Sequence, residues 1–579
     1  MSEPSQGGSK SNSQATSTST TGTSTTRGSE IRIYQARSII TMNPARPRAT
    51  HVAVRDGRIL GVGDLESLQG WGPAEMDDRF ANKIIMPGLI EGHSHLLEGG
   101  MWSFVYVGFY DRRGPDGRLW KGLKTLDDVV LRLQEAERAM SENAQPLCAW
   151  GFDPIYFQGQ PFSTVHLDRV SKTRPVVVLH ASVHLMNVNT AMLDEAGITA
   201  DTGIDGVEMD ADGKLTGQLQ EFAAMYLVFR KIGNVFFDEG QTAQGIWNFA
   251  RVAQLAGVTT ATDLVNDLSP ETLTSLEDTT GSEAYPLRLV PAYAPLRDPE
   301  GRGLDRVLPS MARNTGKLRF GIVKLIVDGS IQGFTARLRW PHYYRPPAGA
   351  AENGIWVIPP QQLRELIQTY HDAGLTVHIH TNGDEATDVA LDALEAVLAD
   401  SPRRDHRHTL QHCQMASTAQ FRRMASLGVC ANLFANHLYY WGDAHYEMTM
   451  GPERAERLNA AATALAAGVP ISLHSDAPVT PIAPLFTAWC AVNRMTASGR
   501  VLGKENRISV YEALHAMTLG AAYTLKLDDQ IGSIETGKQA DFAILEEDPL
   551  QVDPMHLKDI RVWGTVLGGQ VFPCPQAES

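Results

Sequence analysis

Cysteine and long hydrophobic runs are both scarce in this sequence. Its 579 residues include only 5 cysteines, an odd number that is spread along the chain without the paired spacing of zinc-binding fingers. A disulfide framework is therefore not expected, and we predict reduced thiols. No segment approaches the roughly 18 consecutive apolar residues that a membrane-spanning helix needs, so we expect no membrane partner.

Positive charge is also in short supply. Lysine and arginine total 51 against 66 aspartate and glutamate residues, which gives a formal net charge of −15. No concentrated basic run offsets this balance, and an acidic surface repels the phosphate backbone of nucleic acids. We therefore predict no nucleic-acid partner and expect a small-molecule substrate instead.

Apolar side chains are nearly missing from residues 1–30. Ser, Thr, Gly and Gln dominate this segment, and no basic stretch precedes an apolar one, as a secretory signal would require. Such a segment cannot bury enough apolar surface to offset its chain entropy, so we predict a disordered tail. Because no targeting signal is recognisable, we expect a cytoplasmic protein.

Two β-rich segments are present at opposite ends of the chain. Residues 31–85 contain two β-branched runs separated by the turn dipeptide Asp56–Gly57, and residues 530–579 have a similar texture. We expect the two segments to pair into one small composite β-sandwich beside the main domain.

Short apolar strands alternate with helical patterns between these ends. The predicted strands lie in IIMPGLIEGHSH, GVTTATDL, PLRLVPAY, LRFGIVKLIVDG, LTVHIHTNGD, RHTLQHC, GVCANLF and VPISLHSDAP. This alternation favours an α/β fold, a TIM (β/α)8 barrel over residues 86–529. The count of eight requires residues from about 98 to 245 to be a large insertion after strand 1. Because that segment contains a strand of its own, PVVVLHASV, a doubly wound open sheet is the alternative.

Chemically reactive side chains close several predicted strands, at the rim where barrel active sites are built. Six candidates occur there: His93, His95, Lys324, His380, His412 and Asp476. His93 and His95 are two residues apart in an extended chain, so both imidazoles can reach one ion. Lys324 lies inside an apolar strand, where a lysine is costly unless it is paired or modified. Each residue alone has an ordinary structural explanation, but their joint placement indicates one site.

Several stretches from residue 31 onward carry a family resemblance. They are MPGLIEGHSH, HLMNVNTAML, GQLQE, VKLIVDGSIQGFTA, HIHTNGD, LQHCQ, HSDAPVTPIAPL and AMTLGAAYTLKLDDQIGSIETGKQADFAIL. On these the sequence resembles the amidohydrolase superfamily, and within it the amidohydrolase-3, or YtcJ-like, branch. The lysine stretch and the long insertion carry the assignment to the branch.

The resemblance implies a binuclear metal centre inside the barrel, with zinc as the usual metal. His93, His95 and Asp476 would hold the more buried ion, and His380 and His412 would hold the second. Two such cations lower the pKa of a shared water and polarise the scissile carbonyl. Asp476 would also act as the general base that passes the proton of the water to the leaving nitrogen.

The resemblance implies a special role for Lys324. It would bridge the two metal ions as an N-carboxylated lysine, which converts an unfavourable buried cation into an anionic oxygen ligand. The resemblance therefore implies two divalent metal ions as cofactors.

Further residues are expected to line the substrate pocket: His184, Asn432, His437, Trp441 and His474. His184 occupies a position where the resembled branch has a pocket-facing histidine. His474 is a departure, because much of the branch has a small residue there. Aromatic side chains within residues 102–110 belong either to the core or to an apolar pocket wall, and the second arrangement would suit a partly hydrophobic substrate.

These features predict a metal-dependent amidohydrolase. It would cleave a C–N bond of a small, partly hydrophobic molecule, such as an N-acyl or N-formyl amine, through a metal-bound hydroxide. A lactone, ester or carbamate hydrolase on the same centre is the alternative.

Deamination ranks lower, because deaminases of this superfamily tend to have a glutamate where Gly383 stands and lack the lysine ligand. A non-catalytic scaffold ranks lowest, since all six ligand positions are filled. Related proteins are often dimers or tetramers, so a homo-oligomer is compatible with the resemblance.

Overall fold

The computed structural model describes residues 30–141, 145–157, 161–298, 300–347 and 352–575. The predicted disordered tail, residues 1–30, therefore lies outside the described residues except for Glu30. No helix in these ranges is long and apolar enough to cross a membrane. The cysteines of the described chain carry free thiols.

Eight parallel strands form the central sheet and follow one another in chain order. Their bounds are Leu89–Glu91, Val258–Asn266, Arg288–Tyr293, Ile322–Ile326, Thr376–Thr381, Thr409–His412, Cys430–Leu433 and Ile471–Leu473. The last strand returns to the first, because Ser94 and Ala477 form a parallel bridge and the His95 amide donates to the Ala477 carbonyl at 2.9 Å. The sheet is therefore a near-closed TIM-type barrel, as predicted, and the doubly wound alternative is wrong.

Helices lie outside the barrel, between its strands and after strand 8. They are Ala243–Leu255, Pro270–Thr280, Leu304–Met311, Pro360–Asp372, Asp384–Asp400, Thr418–Leu427, Ala461–Ala466, Pro484–Asn493, Val510–Ala516 and Leu519–Thr524. Local sequence sets their ends. Ser417 and Gln420 form a capping box before Thr418–Leu427, and that helix stops at Gly428, whose φ of +70° suits glycine.

Successive side chains of a barrel strand point alternately toward the outer helices and into the barrel. In Thr376–Thr381, Val377 and Ile379 are fully buried in the apolar core that the outer helices share. His378 and His380 alternate with them and therefore point into the barrel. The barrel interior is accordingly polar near the strand ends, where the candidate site lies.

Both ends of the chain contribute to one seven-stranded sheet. Its strands are Ile31–Ile40, Arg48–Arg55, Arg58–Gly63, Ala74–Pro87, Phe542–Leu545, Val562–Leu567 and Gln570–Pro573. The predicted turn is present, because Asp56 and Gly57, with φ of +53° and +74°, join the second strand to the third. The division into domains at residues 31–85, 86–529 and 530–579 stays a prediction.

A second sheet lies between the first two barrel strands in the chain. Its six strands are Val105–Tyr106, Leu147–Phe152, Val176–His180, Leu185–Val188, Val207–Met209 and Leu215–Gln220. The helices of this segment are Leu97–Met101, Leu126–Ala139, Thr164–Leu167, Thr190–Ala196, Glu221–Ile232 and Val235–Gly240. Tyr106 and Trp150 pack in its core, whereas Tyr110 contacts the ring of Tyr440 in the barrel. The aromatic residues thus serve the insertion core and its junction with the barrel.

Candidate metal centre

The strand ends bring all six predicted ligands into one connected cluster. His380 pairs with Ile326 on the lysine strand, and His412 pairs with Thr381 on the next strand. At the closing seam, the Asp476 amide donates to the His93 carbonyl at 3.0 Å. Parallel strands in register therefore deliver these side chains to a single rim.

Three donor atoms converge at the closing seam of the barrel. Asp476 Oδ1 lies 3.2 Å from His93 Nε2 and 3.1 Å from His95 Nε2. Ligands held about 2.0–2.2 Å from one tetrahedral ion lie roughly 3.3 Å from each other. His93, His95 and Asp476 therefore fit one divalent cation such as zinc, which favours nitrogen and carboxylate donors.

A buried hydrogen-bond chain orients His93. Its Nδ1 lies 2.8 Å from Gln411 Oε1, which can only accept, so Nδ1 carries the proton and Nε2 is free to bind an ion. Gln411 Nε2 donates to His378 Nδ1 at 2.9 Å, and His378 Nε2 donates to the Thr524 carbonyl at 3.2 Å. Such partners behind a metal-binding histidine fix its tautomer and ring orientation.

Lys324 is buried beside this group. Its side chain is 2% exposed, and Nζ lies 3.4 Å from His93 Nε2. Burial lowers the pKa of Lys324 to about 7, although the nearby Asp476 carboxylate acts in the opposite direction. A large fraction of the amine is therefore neutral near pH 7 and has a free lone pair.

His380 and His412 form a second pair of donors. His380 Nδ1 and His412 Nε2 are 3.0 Å apart. His380 Nε2 donates to the Gly329 carbonyl at 3.1 Å, which leaves Nδ1 unprotonated. Burial, with the charge of Lys324 next, lowers the pKa of His380 to about 3, so the imidazole is neutral at physiological pH. A neutral imidazole pair of this spacing also fits one cation.

Asp476 connects the two groups. Its Oδ2 lies 3.8 Å from His412 Nδ1, while Oδ1 contacts the first pair of histidines. Burial acts to raise the pKa of Asp476, but the His95 hydrogen bond and nearby positive groups outweigh it, and the pKa lies below its ordinary value. Asp476 and His412 have φ of +55° and +70°, a strained region for such residues that is frequent at functional sites.

One side of the cluster is open to solvent. The side chains of His95, His380 and Asp476 are 17%, 17% and 13% exposed, whereas those of His93 and His412 are 2% exposed. Structural metal sites are closed by protein ligands, whereas catalytic sites keep a position open. The arrangement therefore suits chemistry on an incoming molecule.

Three of the predicted pocket residues are buried near the cluster. Asn432 is fully buried, and its Nδ2 donates to Gln411 Oε1 at 2.9 Å. His437 shares a hydrogen bond of 3.0 Å with His445, and Trp441 Nε1 donates to Asp153 at 3.1 Å. Asn432 thus lies behind the ligands. His437 lies in helix Asn436–Tyr440 after strand 7, and Trp441 ends that helix. Substrate binding by these residues stays a prediction.

The other two predicted pocket residues have contrasting positions. His184 is partly exposed, and its Nδ1 lies 3.1 Å from Oε2 of Glu221, the last residue of the GQLQE stretch. His474 is fully buried and packs against the rings of His93 and Phe434. His184 is therefore accessible to a substrate, whereas His474 is covered.

Several supporting residues were missed by the sequence patterns. Gln411 and His378 orient His93, and the buried carboxylate of Asp328 accepts the backbone amides of residues 337, 382 and 383 beside His380. A signal existed for His378, which precedes His380 by two residues and so repeats the spacing of His93 and His95. Asp328 also lies in the lysine stretch, but only its contacts reveal that it fixes the His380 loop.

Comparison with known proteins decides the family. The amidohydrolase-3 model, described as the amidohydrolase family, matches residues 81–573. This chain belongs to the amidohydrolase family. The predicted membership, its YtcJ-like branch and the predicted enzyme class, a hydrolase of amidohydrolase type, are thereby confirmed.

Individual relatives of this amidohydrolase-family chain cover nearly its full length. It is 28% identical to YtcJ of Bacillus subtilis, over 93% of this chain and 98% of YtcJ. It is also 28% identical to the N-substituted formamide deformylase of Arthrobacter pascens, over 92% of this chain and 96% of the relative. Among solved structures, an uncharacterized metal-dependent hydrolase from Pyrococcus horikoshii shares the fold, with a TM-score of 0.68, 22% identity, and coverage of 91% and 99%.

Proposed function

We propose that this chain is a metal-dependent hydrolase that cleaves the C–N bond of a small, partly hydrophobic amide, such as an N-formyl or N-acyl amine. The observation that carries the proposal is the convergence of His93, His95 and Asp476 donor atoms beside the buried amine of Lys324. The solvent-open side of this group supports catalysis over a structural metal site.

In this proposal the centre holds two divalent ions, with zinc as the expected metal. His93, His95 and Asp476 hold one ion, and His380 and His412 hold the other. Lys324 would supply an oxygen ligand to the ions once its neutral amine has added to carbon dioxide, a step that would form an N–C bond, break one C=O π bond and release one proton. The lowered pKa of Lys324, about 7 because of burial, supports this step, since only the neutral amine is nucleophilic.

The bound ions would polarise the substrate carbonyl and lower the pKa of a water molecule. Asp476 would accept a proton from the attacking water at Oδ2, because Oδ1 is engaged with two histidines. It would then pass that proton to the leaving nitrogen as general acid. His184, which is accessible and paired with Glu221, would bind a polar group of the substrate at the mouth of the site.

Two features support a linear amide as the substrate. The relative from Arthrobacter pascens is named an N-substituted formamide deformylase and aligns over 92% of this chain. The residue three positions after His380 is Gly383, where a ring-deaminating relative would need a glutamate, and its ideal Cβ would lie 1.7 Å from the Arg337 carbonyl oxygen. A larger side chain does not fit there, which disfavours deamination.

The test compares wild-type protein with Lys324→Ala in metal content and in hydrolysis of N-formyl amines, N-acyl amines, an ester, a lactone and an amidine. We expect roughly two ions per wild-type chain and hydrolysis of the amides. Lys324→Ala should lose metal and more than about 100-fold of activity, because even residues behind the ligands contribute 10–100-fold. Lys317→Ala is the control, since Lys317 Nζ binds three backbone carbonyls away from the site.

Folded wild-type protein that binds no divalent metal would overturn the mechanism. If Lys324→Ala retained both ions and full activity, the role of Lys324 as a metal ligand would be wrong, while the rest of the proposed centre would stand. Turnover of the ester or lactone with inert amides would keep the centre and replace the substrate class.

A further inference from the structure

We propose that His474 is an additional ligand of the metal centre, so that its ions are held by more imidazoles than the six predicted residues provide. The inference rests on the proposed metal-dependent function and deepens it. His474 lies two residues before Asp476, at the end of barrel strand 8.

The first observation is the isolation of the His474 ring. Its side chain is 0% exposed, and neither Nδ1 nor Nε2 has a hydrogen-bond partner among the described residues. A buried polar group without a partner costs free energy, typically about 1–3 kcal/mol. A neutral imidazole offers one lone pair, and a metal ion would satisfy it without solvent.

No other buried histidine of the described chain lacks a partner at both ring nitrogens, although Nδ1 of His180 and Nδ1 of His412 are also unpartnered. His371 Nδ1 is 2.8 Å from His408 Nε2, and its Nε2 contacts the Ser401 carbonyl at 2.8 Å. His445 contacts His437 at 3.0 Å through Nε2 and Thr449 at 2.8 Å through Nδ1. The fold therefore provides partners for buried imidazoles elsewhere, and the gap at His474 indicates a missing ligand.

The second observation is the convergence of three imidazoles. One ring nitrogen from each of His93, His412 and His474 lies within 4.8 Å of the other two. Their ring centroids are 4.6, 4.7 and 5.0 Å apart. The His474 ring is inclined by 66° to the His412 ring but lies nearly parallel to the His93 ring, at 21°. Because an imidazole binds an ion in its own ring plane, His474 would share the ion of His412 and His380 and not that of His93. His412 Nδ1 is also buried without a hydrogen-bond partner in the described ranges.

The position of His474 favours metal binding over the substrate contact predicted from the sequence. One face of its ring packs on His93 with a centroid distance of 4.7 Å, and Phe434 packs on it at the same distance. An added imidazole makes the centre richer in nitrogen, which favours zinc, cobalt or nickel over magnesium or manganese.

The direct test is a crystal structure of the zinc-loaded wild-type protein, with zinc located by anomalous scattering. We expect a His474 ring nitrogen within about 2.3 Å of an ion. The matched variant is His474→Phe, which keeps a ring between its neighbours but removes both nitrogens. Its zinc dissociation constant, measured by chelator competition, should rise at least 10-fold, and X-ray absorption should show fewer imidazoles per zinc than in wild type.

His445→Phe is the control, because it removes a buried histidine of the helical turn His445–Thr449 whose nitrogens already have partners. It should leave the imidazole count per zinc unchanged. A zinc-loaded structure with both His474 nitrogens farther than about 3 Å from any ion would overturn this inference, even if the protein binds two ions and hydrolyses amides. Wild-type protein without metal would instead overturn the proposed function as well. The wild-type structure decides the question if His474→Phe does not fold.

Discussion

Gln411 determines which nitrogen of His93 faces the other ligands. Its Oε1 accepts from His93 Nδ1 and from Asn432 Nδ2, at 2.8 and 2.9 Å. Gln411→Leu keeps a similar volume but removes this acceptor, so the His93 ring loses its fixed tautomer. We expect metal affinity to fall by about 10–100-fold, as for other residues behind metal-binding histidines. Chelator competition measures the change.

Gln254→Leu is the control for this substitution. Gln254 is also buried, but it donates to the carbonyls of Phe572 and Pro573, away from the candidate centre. Gln411→Glu, which retains an acceptor for His93, should recover part of the affinity. Equal metal affinity in Gln411→Leu and wild type would show that the ring of His93 is oriented by other contacts.

The sequence predicted these side chains unequally, for a physical reason. Lys324 stands out because a charged group inside an apolar strand is unexpected. His93 and His95 stand out because they follow an apolar strand and are two residues apart. Gln411 precedes His412 directly, and strict alternation would direct the two side chains to opposite faces. His412 instead has a φ of +70°, which breaks the alternation, so both side chains contact groups inside the barrel. A pattern of residue types contains no sign of such a conformation.

At the scale of elements, helix Leu97–Met101 links the first metal motif to the insertion. Glu98 forms a buried ion pair with Arg112, whose Nη1 donates to the Pro478 carbonyl at 2.8 Å, just after Asp476. This helix packs closely against helix Ala243–Leu255 at Gly99. A Cβ on Gly99 would lie 1.9 Å from the Gly245 carbonyl oxygen, so only glycine fits there. The positions of this helix and of the metal motif are therefore coupled.

Gly99→Ala should separate this helix from helix Ala243–Leu255. Because the clash is with backbone, we expect a loss of about 1–3 kcal/mol in unfolding free energy, measured by urea denaturation, together with weaker metal binding. Gly70→Ala is the control. Gly70 ends helix Leu65–Gln69 with a φ of −64°, and no atom lies within 4 Å of an added Cβ there. Unchanged stability in Gly99→Ala would mean that the helix can shift without cost.

The barrel strands were predictable as elements, whereas the insertion was not. Barrel strands such as Arg288–Tyr293 and Ile322–Ile326 are mostly apolar and buried, a pattern set by burial on both faces. In the insertion, the sequence predicted the strand within PVVVLHASV but not Leu147–Phe152, although both are buried apolar runs. Strands such as Val105–Tyr106 and Val207–Met209 are two or three residues long and are defined by their partners in the sheet. Their pairing depends on contacts between distant segments, which local sequence does not encode.

At the scale of the whole molecule, the seven-stranded sheet built from both ends of the chain contacts the barrel. Arg288, at the start of barrel strand 3, forms a buried ion pair of 2.5 Å with Asp541, which precedes strand Phe542–Leu545. The amide of Gly88 also donates to the Asp541 carbonyl at 2.9 Å. Asp541 thus contacts both Gly88, just before strand 1, and Arg288, at the start of strand 3. The seven-stranded sheet therefore stabilises the end of the barrel where its strands begin.

Buried neutral histidines outside the metal centre make stability depend on pH. Burial lowers the pKa of His180 to about 4, against a slight opposing effect of its Asn187 hydrogen bond, whereas the unfolded chain titrates near 6.5. Between these values the unfolded state binds more protons, so stability is full above about pH 6.5 and falls as the pH decreases. From pH 7.5 to 5.5, His180 should contribute a loss of about 1 kcal/mol. His180→Gln keeps a donor for Asn187 but removes this titration. Between pH 7.5 and 5.5, its unfolding free energy, measured by urea denaturation, should therefore fall by about 1 kcal/mol less than that of wild type. Metal loss in acid affects both proteins alike, and equal pH slopes would therefore contradict a neutral, buried His180.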